Sequence, residues 1–145
     1  MVRVLICDDQ EVVRKGLRAM LSTESAIQVV GTAHNGAQAL DAIPHVQPDL
    51  VLMDITMPQM SGLEALCLIK AESPQTQVVM LTVSDDDTNL LEAVKSGAQG
   101  YLLKSLNASE FLEMLDGLQR GEAAITRKTA TRLIEGFADL SRPRS

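Results

Sequence analysis

Short apolar runs alternate along the chain with segments in which apolar residues recur every three or four positions. The runs are Val2 to Cys7, Ile27 to Ala33, Leu50 to Met53, Val78 to Leu81 and Tyr101 to Leu103, and they predict five strands. Polar residues break the second run, so it reads as an edge strand. Between the runs, Val13, Leu17, Met20 and Leu21 share one helix face, while Ala37, Leu40 and Ile43 share a second in a helix that Pro44 terminates. Leu63, Leu66 and Ile69 define a third helix, Leu90, Leu91 and Val94 a fourth, and Phe111, Leu115 and Leu118 a fifth. Asn107 and Glu110 have the spacing of a capping box for that fifth helix.

Strict alternation of strand and helix, with strands that are nearly continuously apolar, predicts an α/β fold: a doubly wound parallel sheet of five strands with helices on both faces. Arg120-Gly121-Glu122 then reads as a break, after which Ala130, Leu133, Ile134 and Phe137 recur at helical spacing. This predicts a sixth helix at about residues 126–138, with Leu140 to Ser145 as linker. Residues 1–120 are thus expected to form one domain, and 121–145 an extra helix with a basic tail.

A length of 145 residues fits that single domain, and a chain of this size needs no metal or disulfide to stand. Mean hydropathy is +0.08, and no apolar run approaches the roughly 18 residues of a membrane span. The amino terminus lacks the apolar core and cleavage site of a signal peptide, so a cytoplasmic protein is expected. Cys7 and Cys67, each in an apolar stretch, read as small buried hydrophobes without a disulfide. Residues 1–126 carry 8 Lys/Arg against 17 Asp/Glu, whereas residues 127–145 carry 5 against 2. So acidic a body repels nucleic acid, and any DNA contact must come from another segment. Only three aromatics occur, Tyr101, Phe111 and Phe137, so one near a polar cluster is informative.

In doubly wound sheets, ligands bind beyond the carboxyl ends of the strands. The residues following the apolar runs there are Asp8 and Asp9, Asp54, Thr82, and Lys104. Each alone has an ordinary explanation as a cap, a loop residue or a solvated charge. If the first and third strands are neighbours, however, three carboxylates converge with a hydroxyl and an ammonium across from them. Converging carboxylates repel and raise one another's pKa unless a cation intervenes, and Mg²⁺ suits one or two carboxylates with waters and a phosphate oxygen. Asp54, single and central, is the candidate nucleophile toward phosphorus, while the Asp8–Asp9 pair suits a cation. Thr82 and Lys104 are placed to address phosphoryl oxygens.

Together Cys7-Asp8-Asp9-Gln10, Leu52-Met53-Asp54-Ile55-Thr56-Met57-Pro58 with Gly62, Leu81-Thr82, Gly97-Ala98 and Gly100-Tyr101-Leu102-Leu103-Lys104 resemble the receiver domain of bacterial two-component response regulators, NarL/FixJ (LuxR-type) subfamily. The resemblance covers residues 2 to about 120. It implies a flavodoxin-like strand order 2-1-3-4-5 and phosphorylation of Asp54 by a histidine kinase. Mg²⁺ would be held by Asp9, Asp54 and the Thr56 carbonyl, with Asp8 acting through water. Thr82 and Lys104 would read the phosphoryl group, and Tyr101 would turn inward as Thr82 moves. Thr56 and Ser84 would flank the water that dephosphorylates the site, and Val83, bulkier than the usual alanine or glycine, would narrow access to Asp54. The surface around the fourth helix, fifth strand and fifth helix would change, giving partner binding or a phosphorylation-dependent homodimer. Residues 126–138 resemble the linker helix that leads to a DNA-binding output domain, absent here; packing on the body or assisting dimerisation is an equal reading of that helix. Where most receivers have proline after the lysine, this chain has Ser105, leaving either a trans bond with an altered loop or a strained cis bond.

Three rival readings compete. A haloacid-dehalogenase-type, Mg²⁺-dependent aspartate-nucleophile phosphatase needs a second acid two residues after the nucleophile, where this chain has Thr56. A nucleotide-binding module lacks its Lys-Ser/Thr after Gly31 and Gly36. A phosphorylation-independent docking domain would fit loss of Asp9, Asp54 or Lys104, and all three are present.

Overall fold

A computed structural model describes residues 1–83 and 87–141. Its order is β1 (Val2–Cys7), α1 (Glu11–Leu21), β2 (Ile27–Ala33), α2 (Gly36–Val46), β3 (Leu50–Asp54), α3 (Gly62–Glu72), β4 (Gln77–Thr82), α4 (Asp87–Lys95), β5 (Gly100–Leu103), α5 (Ala108–Gln119), β6 (Ala124–Ile125) and α6 (Arg127–Ser141). The sheet is parallel throughout, in the order β2-β1-β3-β4-β5-β6.

Every residue of β3 is buried, as a central strand covered on both faces requires. Alternate residues along the strands feed two cores. Leu5, Cys7, Val51, Met53, Met80 and Tyr101 face α2, α3 and α4, whereas Val4, Ile6, Leu52, Leu81 and Leu102 face α1 and α5. The interrupted run β2 lies at the sheet edge, and Asn107 accepts from the Glu110 backbone N–H at 2.9 Å to cap α5.

Four expectations are corrected. The sheet has six strands, because β6 pairs with the outer edge of β5 through Gly100↔Ala124 and Tyr101↔Ile125. Two residues are too few to produce an alternating pattern, and the pairing depends on small partners: a Cβ on Gly100 would lie 2.6 Å from both the Cβ and the carbonyl oxygen of Ala124. Pro44 does not end α2, which runs to Val46. Proline removes only one bond this close to the helix end, and Arg3 holds the last carbonyls by donating from Nη2 to Val46 O at 2.6 Å and from Nε to Gln47 O at 3.3 Å. Cys67 is exposed on α3, where its Sγ lies 3.4 Å from Ser96 Oγ. Finally, α6 extends to Ser141 and buries only part of its apolar set: Leu133 packs on the core, whereas Ile134 is 70% exposed.

The β3–α3 loop positions the strand end that matters for function. Gly62 N–H donates to the Ile55 carbonyl at 2.8 Å, and a Cβ on Gly62 would meet the Asp54 carbonyl oxygen at 2.1 Å. Gly62→Ala is therefore expected to cost about 1–3 kcal/mol through a forced backbone shift, read as a lower urea midpoint at unchanged m-value. A midpoint equal to that of the wild type would show that the loop can give way freely.

Candidate functional site

The carboxyl ends of β1, β3, β4 and β5 meet at one rim, because β1 neighbours β3 and β3 neighbours β4. The backbone decides which acids turn inward. Asp8 N–H donates to the Ala33 carbonyl at 3.1 Å and so prolongs the β1–β2 ladder by one residue. Asp8 is consequently fully buried, whereas the next residue, Asp9, faces solvent. Asp54 ends β3 and is 3% exposed. Carboxylate oxygens of Asp8, Asp9 and Asp54 all lie within 4.8 Å of one another.

Lys104 Nζ lies 2.7 Å from Asp8 Oδ2 and 3.1 Å from Asp54 Oδ1. The other Asp8 oxygen accepts from Gln10 N–H at 2.9 Å, and Asp54 Oδ1 also accepts from Thr56 N–H at 3.3 Å. Lys104 is itself fixed by its backbone, whose N–H donates to the Thr82 carbonyl at 2.7 Å. No peptide bond among the described residues is cis, so the Lys104–Ser105 bond is trans, and Leu106 N–H closes the turn on Leu103 O at 3.1 Å.

Burial, then the neighbouring Asp8 charge, raises the Asp54 pKa from 3.8 to about 6, with Lys104 opposing the rise. For Lys104, burial pulls the pKa down, but its bonds to the two carboxylates outweigh burial and hold it above the usual lysine value. Cys7, beneath the acids, is pushed up to about 12 by burial and then by Asp54 and Asp8, so it stays a thiol at neutral pH. Its Sγ lies 3.7 Å from Met57 Sδ, and both residues are buried.

The remaining candidates take distinct places. Thr82 ends β4 and is 6% exposed, and Tyr101 on β5 is 2% exposed. Thr56 is exposed above Asp54, and Val83 is 80% exposed where β4 gives way to the next loop. Ser84 lies outside the described residues. One contributor escaped the sequence reading: Arg14 Nη1 donates to the Asp8 carbonyl at 2.6 Å, anchoring the acid-bearing turn from the first turns of α1. Its only signal is a cation five residues after Asp9, indistinguishable in sequence from a solvated helix residue.

A hard oxygen donor set that includes two buried acids fits a divalent cation such as Mg²⁺, which would also relieve their mutual repulsion. Without one, ionised Asp54 costs stability. The folded state binds its proton more tightly than the unfolded one, so the penalty is complete above pH 6, shrinks as pH falls, and is gone below 3.8. In chelator, Asp54→Asn is expected to stabilise the fold by about 1–2 kcal/mol at pH 7 and to lose that advantage below pH 4. Thermal melts across this range test it, and an equal gain at both ends would refute the raised pKa.

Comparison with known proteins bears on this rim. Residues 4–116 match the family model described as the response regulator receiver domain. The transcriptional regulatory protein LnrK of Bacillus subtilis is 38% identical over 121 residues, 83% of this chain and 55% of that protein. The first curated relatives are all longer, and the chain matches 55–63% of their length. Among solved structures, a LuxR-family two-component response regulator from Aurantimonas sp. SI85-9A1 superposes with a TM-score of 0.87 at 25% identity, covering 95% of this chain and 99% of that one. The signal receiver domain of the putative response regulator NarL from Mycobacterium tuberculosis superposes at 0.78 with 31% identity, covering 83% and 98%.

Proposed function

Since the chain belongs to the response regulator receiver domain family, in its NarL/LuxR branch, we propose that it is a phosphorylation-activated switch whose phosphoacceptor is Asp54. One observation carries the reading: a buried carboxylate of raised pKa ends the central strand, in contact with a lysine and beside two further acids.

An ionised Asp54 oxygen attacks the phosphorus of a phosphohistidine on a histidine kinase. A P–O bond forms as the P–N bond breaks, and the histidine ring, already protonated on its other nitrogen, takes the P–N electron pair and departs as neutral imidazole. With a pKa of about 6, Asp54 is mostly ionised at neutral pH and keeps its nucleophilic lone pair. Mg²⁺, held by Asp9, Asp54 and the Thr56 carbonyl with Asp8 behind it, would supply charge neutralisation for the incoming phosphoryl oxygens. Lys104 reaches the same region from β5 and can exchange part of its contact with Asp54 for a phosphoryl oxygen. Phosphorylation adds about −1.5 to −2 charge. Its effect on shape depends on contacts that only one conformation offers, which Thr82 and Tyr101 provide.

The only chemistry of the domain is then its own phosphorylation and dephosphorylation, in the cytoplasm. Among the described residues, no helix is long and apolar enough to cross a membrane. Relatives named as transcriptional regulators support transcription as the output. In this proposal the signal passes through a phosphorylation-dependent homodimer to a DNA-binding domain. Residues 1–120 form the receiver in this reading, and 121–145 the linker helix with its tail.

Incubation with acetyl phosphate and Mg²⁺, followed by intact mass, is expected to add one phosphoryl group to wild type and none to Asp54→Ala. Equal labelling of the two would sink the mechanism. Val83, 80% exposed beside the rim, sets access, so Val83→Ala is expected to speed both labelling and its decay. Unchanged rates in that variant would remove the access role.

A further inference from the structure

Without β6, β5 would be the edge of the sheet, and its side chains would have cover from one side only. Tyr101 is nevertheless 2% exposed, and residues of β6 and α6 are among those packed on the cluster that contains it. Ile125 is its register partner on β6, and in a parallel pair such partners project to the same face. Ile125 and, from α6, Leu133 both pack on the cluster that holds Tyr101 together with Leu90 and Ala93 of α4. The helix then lies against α4 with little room to spare: a Cβ on Gly136 would stand 3.2 Å from Leu91 Cδ1.

We infer that β6 and α6 form a clasp that holds Tyr101 in its buried position, so that docking of α6 on α4 and phosphorylation of Asp54 stabilise each other. This rests on the proposed roles of Thr82 and Tyr101. The mechanical path is short. Tyr101 and Lys104 lie three residues apart at the end of one short strand, and Lys104 N–H is bonded to the Thr82 carbonyl. A tail that leaves α4 uncovers Tyr101 and frees β5, and through it the lysine that faces Asp54. Linkage makes the coupling reciprocal: a phosphoryl group that favours inward Tyr101 must tighten α6 by the same factor. The face around α4 and β5 is therefore presented to partners through α6, so a partner that needs bare α4 must first displace that helix.

Tyr101 is the sole tyrosine and the chain has no tryptophan, so tyrosine emission reports this one residue. Acrylamide quenching in the wild type is expected to be weak. Gly136→Val, which drives a side chain into Leu91, should raise it several-fold, and adding Leu91→Ala, which makes room, should restore the wild-type value. Leu133→Ala gives the same reading should the first variant fold poorly. Quenching that stays weak in both single variants, or that the added Leu91→Ala leaves high, would overturn the clasp. In a second arm, Mg²⁺ with trifluoroberyllate, an acyl phosphate mimic, should slow amide exchange of residues 127–141 at least about threefold. Unchanged exchange in protein that acetyl phosphate labels on Asp54 would overturn the coupling and leave the phosphoacceptor standing. Absence of any labelling would overturn the phosphoacceptor, and with it the coupling, while the quenching arm still decides the clasp.

Discussion

The ammonium of Lys104, 2.7 Å from Asp8 and 3.1 Å from Asp54, is the contact on which the rest of the rim depends. Two acids buried this close together repel each other, and burial penalises each charge further. A single cation shared between them makes the arrangement tolerable, and it can do so only because β1, β3 and β5 end on the same side of the sheet. Strand order, crossover direction and the length of β5 all converge on the placement of that nitrogen. The balance is incomplete, since Asp54 still titrates near pH 6. Burial first and the Asp8 charge second leave the Asp54 pKa raised, and a further cation among the three acids would relieve that repulsion.

Each neighbouring feature restrains one member of this trio. Arg14 and the β1–β2 ladder fix Asp8 through its backbone, leaving both side-chain oxygens for Gln10 and Lys104. Gly62 lets α3 begin tight against the Asp54 carbonyl, which sets the direction in which β3 delivers its last residue. Thr82 holds Lys104 through a main-chain bond, so movement at the end of β4 reaches the lysine without passing through solvent. Tyr101 lies on β5, the strand that Lys104 follows, and β6 and α6 pack on the cluster that contains it.

Most of this was legible in the sequence because it follows from periodicity. Buried parallel strands are continuous apolar runs, and the residue after each run must lie at the carboxyl edge, which is where Asp8, Asp9, Asp54, Thr82 and Lys104 fall. The features that escaped have no period to betray them. β6 is two residues long, and its pairing depends on the missing side chain of Gly100 opposite the small Ala124, a close approach that leaves no periodic pattern. Pro44 looked like a terminator because the compensating donor, Arg3, is distant in sequence. Arg14 acts on a main-chain oxygen, a role any helix cation could be assigned. The partition of α6 into a docked Leu133 and an exposed Ile134 depends on where α4 lies, and no single-helix pattern contains that.

Of the three neighbouring carboxylates, Asp54 alone is expected to act as the nucleophile. Reductive trapping with borohydride after exposure to acetyl phosphate and Mg²⁺ converts an aspartyl phosphate to homoserine, and peptide mass spectrometry then assigns the position. Homoserine is expected at residue 54, with Asp8 and Asp9 intact. Homoserine at either of those two acids, or at none of the three, would contradict Asp54 as the nucleophile.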